Sequence, residues 1–452
     1  MTSKRRLFGT DGIRGEANVA PMTPETAMRV GMAVAAKFGK DGTVVVGKDT
    51  RLSGYLLESA LASGLCALGA DVTFVGPLPT PGIAYVTRSL RASAGVVISA
   101  SHNSFEDNGI KLFAGDGYKL PDDVEAEIEA LIEDPQVEKL RARGEAVGRA
   151  HRLDDAAGRY ITHLKFAFPG RFDLDGLKIV LDCAHGAAYR VAPSVLRELG
   201  AQVVTIGCEP DGININRGVG AMHPEVICKA VAEQGATIGL ALDGDADRCI
   251  MCDERGQLVD GDAIMAMCAR DMAQRGELRG GAVVATVMSN LGLERSLAEV
   301  GLDLVRTPVG DRYVVEAMRG GDYNLGGEQS GHLVFTDHAT TGDGMVAALQ
   351  VLTILRRTQT PISQLAKVMT RLPQITRSLK VARKEPLEKL PKLSRVIDQV
   401  RAELAGRGRV LVRYSGTEAK LRLMVEGEDE AELEAMLDRM GAVVLEELGA
   451  AA

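Results

Sequence analysis

Three stretches of the chain share one pattern of hydrophobic and polar residues. Each begins with a run of aliphatic residues typical of a buried strand, then continues through a polar loop, a helical stretch and a glycine into a second strand. The stretches are residues 43–76, 177–207 and 281–310. The glycine of each stretch stands where a helix can end with a positive φ: Gly69, Gly200 and Gly301. The repetition predicts three related α/β domains.

The pattern changes after Thr370. A basic, proline-interrupted segment is followed by a helix candidate, two strand candidates at 410–413 and 421–425, and an amphipathic helix after Gly427. Acidic residues open this last helix, as the helix dipole favours. We therefore predict a fourth domain of the α+β type. The polar segment 141–152 is interpreted as a linker, which gives the domains 1–152, 153–253, 254–369 and 370–452.

Length and composition narrow the classes of function. A chain of 452 residues suits a multidomain enzyme, and its hydrophobic fraction of 46% is typical of globular proteins. The net charge of −8 argues against nucleic acid or an acidic membrane surface as the main partner. We find no signal peptide and no apolar run of the ~18 residues that span a bilayer. Seven cysteines, an odd count, indicate reduced thiols, so a cytoplasmic location is expected.

Three short motifs resemble known sites without meeting their requirements. Residues 42–49 have P-loop spacing, but the interior is strand-like and Asp49 stands where Ser or Thr would hold Mg²⁺. Residues 243–254 have the carboxylate spacing of a calcium EF-hand, but Arg248 replaces the required glycine and both flanks are strand-like. The Cys-x-x-Cys motif at 249–252 lacks a second pair for zinc and is predicted to lie in the core.

The first candidate loop is Ser99-Ala100-Ser101-His102-Asn103. It directly follows the predicted strand 95–98, and ligands of α/β sheets bind at the C-terminal ends of strands. With Lys111, the loop brings a hydroxyl, an imidazole and an ammonium close together in sequence. Taken alone, the segment could equally be an ordinary polar turn.

The second candidate loop carries Asp243, Asp245 and Asp247, again directly after a strand. Alternate carboxylates can converge on one hard cation, and without a cation they would repel each other. Three carboxylates leave coordination positions on Mg²⁺ open for a phosphate oxygen, and Arg248 could bind the same phosphoryl group. We therefore predict a Mg²⁺ site, with a solvated acidic turn as the alternative.

Two further loops suit a phosphorylated sugar. The loop at 326–332 offers groups that hydrogen-bond sugar hydroxyls: Glu328, Ser330 and His332. The loop at 413–418 has the guanidinium, hydroxyls and free backbone N–H groups of an anion site: Arg413, Ser415, Gly416 and Thr417. Either loop alone could be a structural turn. One such loop in each of four domains predicts a shared site.

These loops resemble, in order and over essentially the whole chain, the motifs of the α-D-phosphohexomutases. Segments 9–15 and 309–313, together with Gln329, are most similar to the bacterial members that act on glucosamine phosphates. Ser104 departs from the family, whose serine loop usually has proline there, and this bears on the rigidity of the loop. The resemblance implies three related α/β domains plus a C-terminal α+β domain around a central active-site cleft.

The resemblance further implies an isomerase whose small-molecule partner is a sugar phosphate. Ser101 would carry a phosphoryl group, ligate one Mg²⁺ with the three aspartates, and convert glucosamine 6-phosphate to glucosamine 1-phosphate for cell-wall precursor synthesis. Glucosamine 1,6-bisphosphate would be the bound intermediate. The implied cationic frame is Arg14, Lys111 and Arg248, and the candidate proton carriers are Lys111, His102 and His332. Neither nucleic acid nor a membrane is expected as a partner, and the oligomeric state stays open, with a homodimer as one option.

Three other functions fit part of the pattern. A phosphoglucomutase or phosphomannomutase of the same family would share all four loops. A serine-dependent metal phosphatase would share the serine and metal loops but has no need of a phosphate site at Arg413. A non-catalytic sugar-phosphate sensor would keep Glu328 and Arg413 while losing Ser101 or an aspartate.

Overall fold

The computed structural model describes residues 7–9, 11–39, 42–415 and 419–449. The chain divides into two compact units: the residues up to 288 with 301–368, and residues 289–300 with those from 369 onward. None of the helices in these described ranges is long and apolar enough to cross a membrane.

The N-terminal part of the first unit is built on a six-stranded sheet flanked by helices. Its strands are β1 (Ile13–Glu16), β2 (Thr43–Lys48), β3 (Asp71–Pro77), β4 (Ala94–Ile98), β5 (Asp107–Ala114) and β6 (Ala150–Arg152), in the order β1-β5-β4-β2-β3-β6. The helices are α1 (Pro24–Phe38), α2 (Ser53–Ala67), α3 (Thr80–Ser89) and α4 (Asp122–Glu133). Strand β4 lies inside the sheet, parallel to β2 and antiparallel to β5, and is buried along its whole length.

A five-stranded sheet follows. It contains β7 (Lys178–Asp182), β8 (Gln202–Ile206), β9 (Ile238–Leu242), β10 (Cys249–Cys252) and β11 (Leu258–Val259), in the order β11-β10-β9-β7-β8, with α5 (Ala156–Phe166), α6 (Val191–Glu198) and α7 (Pro224–Gln234). Strands β7, β8 and β9 are parallel, so their C-terminal ends meet at one edge. Strand β9 is wholly buried and delivers the metal loop to that edge.

The third sheet of the first unit has the order β13-β12-β14-β15. The elements of this stretch are α8 (Gly261–Gln274), β12 (Ala282–Thr286), α9 (Leu291–Ala298), β13 (Asp303–Thr307), α10 (Asp311–Gly321), β14 (Leu325–Gly327), β15 (Leu333–Phe335), α11 (Gly344–Thr358) and α12 (Ile362–Leu365). Helix α9 belongs to the second unit. Strands β14 and β15 form an antiparallel pair, and the predicted sugar loop connects them.

The second unit has an antiparallel sheet of order β16-β18-β17 packed under two helices. Its strands are β16 (Gln374–Lys380), β17 (Arg409–Tyr414) and β18 (Lys420–Glu426), and its helices besides α9 are α13 (Pro391–Glu403) and α14 (Glu430–Leu448). The inward face of β18 and one face of α14 share a core that includes Leu423, Val425, Leu433 and Leu437. Asp429 caps α14 by accepting from the N–H of Glu432, as the acidic start predicted.

The three repeated stretches form the predicted strands, and their glycines Gly69, Gly200 and Gly301 have φ of 90°, 103° and 74°. Cys249 and Cys252 lie in the buried strand β10, which confirms the core interpretation. The linker prediction is wrong at its end, because 150–152 pairs with β3 as a short edge strand. Strand β16 was not predicted, since its apolar residues are only half-buried and Arg377 interrupts their alternation with polar residues.

Candidate active site

Ser101 stands in the turn after β4 with its side chain 1% exposed. Its φ of 51° places the backbone in the left-handed region, which residues other than glycine rarely adopt. Its hydroxyl donates a 2.6 Å hydrogen bond to Oδ2 of Asp243. The hydroxyl oxygen of Ser101 also lies 3.4 Å from Nδ1 of His102. Such strain persists where surrounding contacts fix one conformation, so the hydroxyl is held in place.

A buried guanidinium holds the backbone of this serine turn. Arg51 is 0% exposed and pairs through Nε with Oδ2 of Asp49 at 2.8 Å. Its terminal nitrogens donate to four carbonyl oxygens of the loop, those of Ser101, Asn103, Ser104 and Asp107. A planar group with five donors can bridge several carbonyls at fixed angles. Both Asp49 and Arg51 were missed by the sequence analysis, although they directly follow β2.

An amide from the second sheet's loops contacts the same turn. The side-chain nitrogen of Asn216 donates to the carbonyl oxygens of Ser101 and Asn103, each at 2.9 Å. Asn216 itself has a left-handed φ of 58° and is buried. The serine turn is therefore fixed from two sheets, and Asn216 is a third residue that the sequence analysis missed.

The three aspartates of the metal loop converge as predicted. Asp243, Asp245 and Asp247 are buried and offer carboxylate oxygens that all lie within 4.8 Å of one another. The serine and metal loops touch at Gly244, where a Cβ would lie 2.5 Å from the carbonyl oxygen of Ser101. Glycine is thus required for this close approach.

The donor set of this cluster suits a hard cation. Oδ1 of Asp245 and Oδ1 of Asp247 are buried and have no hydrogen-bond partner within the described chain. Burial, reinforced by the neighbouring carboxylates, raises the pKa of Asp243 well above its usual range. Unpaired buried carboxylate oxygens that repel one another are costly alone and are the ligands that divalent cations bind. The cluster could therefore bind a metal ion.

Lys111 lies among the acidic groups. Its Nζ is 2.8 Å from Oδ2 of Asp245, 3.1 Å from Oδ2 of Asp11 and 3.6 Å from Oδ2 of Asp247. Burial alone would lower the pKa of Lys111, but these carboxylates outweigh it and raise the pKa. Lys111 is therefore an ammonium at neutral pH, suited to hold an anion rather than to accept a proton.

The two predicted arginines flank the same cluster. Arg14 pairs with Asp11 and donates to the carbonyl oxygen of Ala100 at 3.4 Å. The backbone N–H of Arg248 donates to Oδ1 of Asp243 at 3.2 Å, and its Nε lies 3.9 Å from Asp247. The Nε groups of both arginines are buried without a hydrogen-bond partner in the described part of the chain. They remain available to a phosphoryl oxygen.

The sugar loop is joined to the metal loop through the backbone. The N–H of Cys249 donates to the carbonyl oxygen of Gly331 at 3.0 Å, and Arg248 forms an antiparallel bridge with His332. Glu328 and Ser330 are half-buried and lie close together, with Ser330 Oγ 3.5 Å from a Glu328 oxygen. The structure therefore brings three of the four predicted loops together.

His332 lies between two carboxylates. Its Nδ1 is 3.6 Å from Oδ2 of Asp247, and its Nε2 is 3.5 Å from Oδ2 of Asp311. Burial alone would lower the pKa of His332, but the carboxylates raise it to about 9. Lys119, which the sequence analysis did not select, bonds both Asp11 and Asp311 and so connects sequence-distant acidic groups around the site.

His102 differs in charge from the other two candidate proton carriers. Burial, assisted by the positive charges of Arg248 and Arg14, lowers the pKa of His102 to about 4. The imidazole is therefore neutral at neutral pH, whereas Lys111 and His332 are positively charged. A neutral imidazole can accept a proton.

In the second unit, the predicted phosphate loop follows β17. Arg413 is paired across the sheet with Arg422, and burial together with this second guanidinium lowers the pKa of Arg413. Neither arginine forms an ion pair with a carboxylate among the described residues, and Nε of Arg422 has no hydrogen-bond partner there. Ser415 is buried, and its carbonyl oxygen accepts from Nζ of Lys384 at 2.8 Å. Two adjacent cations repel each other unless an anion binds between them, so Arg422 is a candidate phosphate-binding residue beside Arg413. The sequence analysis did not select Arg422.

Four residues of the predicted motifs lie outside the described residues. They are Gly416, Thr417 and Glu418 of the phosphate loop and Thr10 of the first motif.

Four family models match the chain in order. They are described as phosphoglucomutase/phosphomannomutase α/β/α domains I, II and III, at residues 5–138, 158–256 and 260–372, and the C-terminal domain, at residues 378–442. The chain belongs to the phosphoglucomutase/phosphomannomutase family. This confirms the resemblance to the α-D-phosphohexomutases and the predicted fold class of three α/β domains followed by a fourth domain.

Individual relatives match this chain over nearly its whole length. A phosphoglucosamine mutase of Syntrophotalea carbinolica is 57% identical over 450 residues, which are 99% of this chain and 98% of the relative. A phosphoglucosamine mutase of Sorangium cellulosum is 59% identical over 430 residues, 94% and 90% of the two chains. Among solved structures, a phosphoglucomutase/phosphomannomutase family protein from Burkholderia thailandensis matches with a TM-score of 0.78 at 25% identity, covering 98% and 97%.

Proposed function

We propose that this chain is a phosphoglucosamine mutase, an isomerase that interconverts glucosamine 6-phosphate and glucosamine 1-phosphate. The observation that carries the proposal is the buried hydroxyl of Ser101, hydrogen-bonded at 2.6 Å to a cluster of three aspartates. The substrate follows from the 57% identity to a phosphoglucosamine mutase over 99% of the chain. The product would supply amino-sugar nucleotide and peptidoglycan precursor synthesis.

Ser101 carries a phosphoryl group in the active enzyme. The free hydroxyl of glucosamine 6-phosphate attacks this phosphorus, the bond to Ser101 Oγ breaks, and glucosamine 1,6-bisphosphate remains bound. After the bisphosphate reorients, Ser101 Oγ attacks the phosphorus at carbon 6 and glucosamine 1-phosphate leaves. Positioning and charge neutralisation dominate such a transfer, which agrees with a serine held by Arg51 and Asn216.

Asp243, Asp245 and Asp247, with the phosphoryl group on Ser101, are the residues that would hold one Mg²⁺. The unpartnered oxygens of Asp245 and Asp247 support this assignment. The metal ion, when bound, supplies positive charge to the transferring phosphoryl group.

The remaining groups of this site have separate tasks. Lys111, Arg14 and Arg248 neutralise and orient the transferring phosphoryl group, for which their positive charges suit them. His102, neutral and 3.4 Å from Ser101 Oγ, accepts the proton of the attacking hydroxyl. The sugar hydroxyls are bound by Glu328, Ser330 and His332.

In the second unit, Arg413 and Arg422 bind the phosphate that is not being transferred, with Ser415, Gly416 and Thr417 as further donors. The adjacent guanidinium groups support this role because they lack a counter-charge among the described residues. Remote phosphate binding lowers the barrier by orienting the sugar.

Two further statements belong to the proposal. We place the protein in the cytoplasm, since its seven cysteines are free thiols in the described chain and suit a reducing compartment. We keep the domain boundaries after 152, 253 and 369, and the pairing of 150–152 with β3 supports the first of them.

Substrate preference tests the proposal. Glucosamine and glucose 6-phosphates differ at carbon 2 by one hydrogen-bonding group, worth ~1–3 kcal/mol, or roughly tenfold to a few hundredfold in kcat/KM. We expect glucosamine 6-phosphate to be preferred by this margin over glucose 6-phosphate in coupled assays, with mannose 6-phosphate measured alongside. A preference for either hexose phosphate would overturn the substrate assignment and leave a phosphohexomutase. Release of inorganic phosphate as the main product would indicate a phosphatase instead.

A further inference from the structure

Thr80, the first residue of α3, lies outside the four loops of the proposed active site but contacts one of its aspartates. The Thr80 hydroxyl donates a 2.7 Å hydrogen bond to Oδ2 of Asp245. The backbone N–H of Thr80 donates to the carbonyl oxygen of Asp245 at 3.0 Å. Thr80 is 0% exposed and Asp245 is 1% exposed. One buried residue therefore holds both the side chain and the backbone of Asp245.

The two carboxylate oxygens of Asp245 have different surroundings. Oδ2 accepts from Thr80 and lies 2.8 Å from Nζ of Lys111. Oδ1 is buried and has no hydrogen-bond partner in the part of the chain that the structure describes. The carboxylate is thus held through Oδ2, and Oδ1 remains as an oxygen that a hard cation can bind.

Lys111 alone does not fix the direction of this carboxylate. Its ammonium also lies near Asp11 and Asp247, and a lysine stem is flexible with rotatable donors. The last torsion of an aspartate side chain has a broad energy minimum, so a carboxylate held only by an ammonium can turn. The Thr80 hydroxyl, attached to the start of a helix, supplies the second and more directional contact.

The backbone of the metal loop is fixed in a similar way from three parts of the first unit. Three consecutive carbonyl oxygens of the loop each accept from a backbone N–H of another segment. The pairs are Ala187 to Gly244 at 2.8 Å, Thr80 to Asp245 at 3.0 Å and Gly344 to Ala246 at 3.1 Å. Among these three donors, Thr80 also donates from its side chain to an aspartate of the cluster.

We propose that Thr80 is a positioning residue for the metal ion: it turns Asp245 so that Oδ1 faces the cation. The proposal rests on the metal site of the proposed function and adds a residue that determines its affinity. Removal of a partner that orients a metal ligand weakens metal binding by about tenfold to a hundredfold. We expect an effect of this size when the Thr80 hydroxyl is removed.

Helix α3 contains a matched control. Thr87 is also 0% exposed, and its hydroxyl donates to the carbonyl oxygen of Ile83 at 2.8 Å, one turn earlier in the same helix. Thr87→Val therefore removes a buried hydroxyl from α3 by the same chemical change as Thr80→Val. It leaves the contacts of Asp245 in place.

The test measures metal binding to the full-length protein without substrate. Mn²⁺ serves as the probe, because it binds the same oxygen ligands as Mg²⁺ and its free form is quantified by electron paramagnetic resonance. Excess Mg²⁺ should displace it. We expect the Kd for Mn²⁺ to rise about tenfold to a hundredfold in both Thr80→Val and Thr80→Ala. Thr80→Ser, which keeps the hydroxyl, and Thr87→Val should both bind Mn²⁺ as the wild type does.

A purely structural role of Thr80 gives a different result. Thermal unfolding of each variant shows whether the fold is kept, and a lower Tm with an unchanged Kd for Mn²⁺ would overturn the proposal. An equal loss of Mn²⁺ affinity in Thr87→Val would also overturn it, because the cause would then be the stability of α3. Weak binding in Thr80→Ser would show that the hydroxyl is not what matters, with the same consequence.

Kinetics separate this proposal from the proposed function. In Thr80→Val, the Mg²⁺ concentration for half-maximal turnover should rise by the same factor as the Kd, while KM for glucosamine 6-phosphate at saturating Mg²⁺ stays unchanged. If the wild type bound Mn²⁺ but had no mutase activity, the proposed function would fail and the Mn²⁺ titrations would still decide the role of Thr80. A wild type that binds no Mn²⁺ would overturn the metal site and the role of Thr80 together.

Discussion

Replacement of Arg51 tests whether the serine turn depends on its buried guanidinium. Arg51→Met keeps much of the side-chain volume but leaves Asp49 without its 2.8 Å partner and four loop carbonyls without a charged donor. Removal of one partner of a buried ion pair costs about 3–5 kcal/mol, and we expect the free energy of unfolding to fall by this amount. Arg51→Lys keeps the charge but not the planar fork, so a smaller loss of about 1–3 kcal/mol is expected.

Activity should fall in both variants for a different reason. Ser101 has a left-handed φ of 51°, and its carbonyl oxygen is held by Arg51 at 3.0 Å, so the turn can relax when the donor is lost. A displacement of the reacting oxygen by about 1 Å lowers kcat by up to about a hundredfold. We expect kcat to fall about tenfold to a hundredfold in Arg51→Lys, where folding is largely preserved.

The assays are urea unfolding and steady-state conversion of glucosamine 6-phosphate. Arg159→Met is the control, because the Arg159 side chain is 40% exposed and its 2.9 Å pair with Asp155, the residue before α5, contributes only about 0.3–0.5 kcal/mol. Arg159→Met should match the wild type in kcat. If Arg51→Lys keeps wild-type kcat, the turn holds Ser101 without the guanidinium fork and the reasoning is wrong.

Three further predictions concern metal, phosphate and pH. A chelator should abolish turnover and added Mg²⁺ should restore it; full turnover in excess chelator would refute a metal at the aspartate cluster. Arg422→Ala should raise KM about tenfold or more by removing a charged hydrogen bond, while Ser101 phosphorylation continues; unchanged kinetics would refute a phosphate site there. Burial, assisted by Arg88, lowers the pKa of His163 to about 4 from 6.5. The unfolded chain therefore binds more protons between these values, and stability falls on acidification through them. In His163→Phe the free energy of unfolding near pH 5 should fall by about 1 kcal/mol less than in the wild type, after allowance for solvent screening, as measured by urea unfolding. An unchanged pH dependence would refute a role of His163 in this acid destabilisation.

The serine and metal loops were predictable because of where they stand in the sequence. Ser101 and Asp243 come within three residues of the ends of wholly buried strands, and polar residues at such points face the ligand edge of an α/β sheet. Their side-chain types indicate the chemistry directly. The pattern therefore predicted the strands and the side chains that the structure brings together, and the catalytic roles of those side chains stay a prediction.

The supporting residues could not be predicted in the same way. Arg51 and Asn216 act through backbone carbonyl oxygens of the serine loop, and a sequence does not show which carbonyls lie within reach of a side chain. Arg422 stood in a predicted strand, but its pairing opposite Arg413 depends on the register of β17 and β18. These contacts arise only once the sheets are assembled.

The missed strands have a related cause. Strand β6 consists of three residues, all of them exposed, so no hydrophobic alternation marks it in the sequence. Only its pairing with β3 defines it as a strand. Strand β16 places Arg377 within its alternation, where the guanidinium pairs with Glu434 and Asp438 of α14. Tertiary partners therefore decide both strands.

The most direct test of the account follows the phosphoryl group of Ser101. The enzyme would be labelled with ³²P on Ser101, which mass spectrometry should locate there and which Ser101→Ala should lack. It would then be mixed with unlabelled glucosamine 6-phosphate in a single turnover. The account predicts that the label passes to carbon 1 of glucosamine 1,6-bisphosphate and then appears in glucosamine 1-phosphate, with little inorganic phosphate. Label released chiefly as inorganic phosphate, or label that never leaves Ser101, would contradict it.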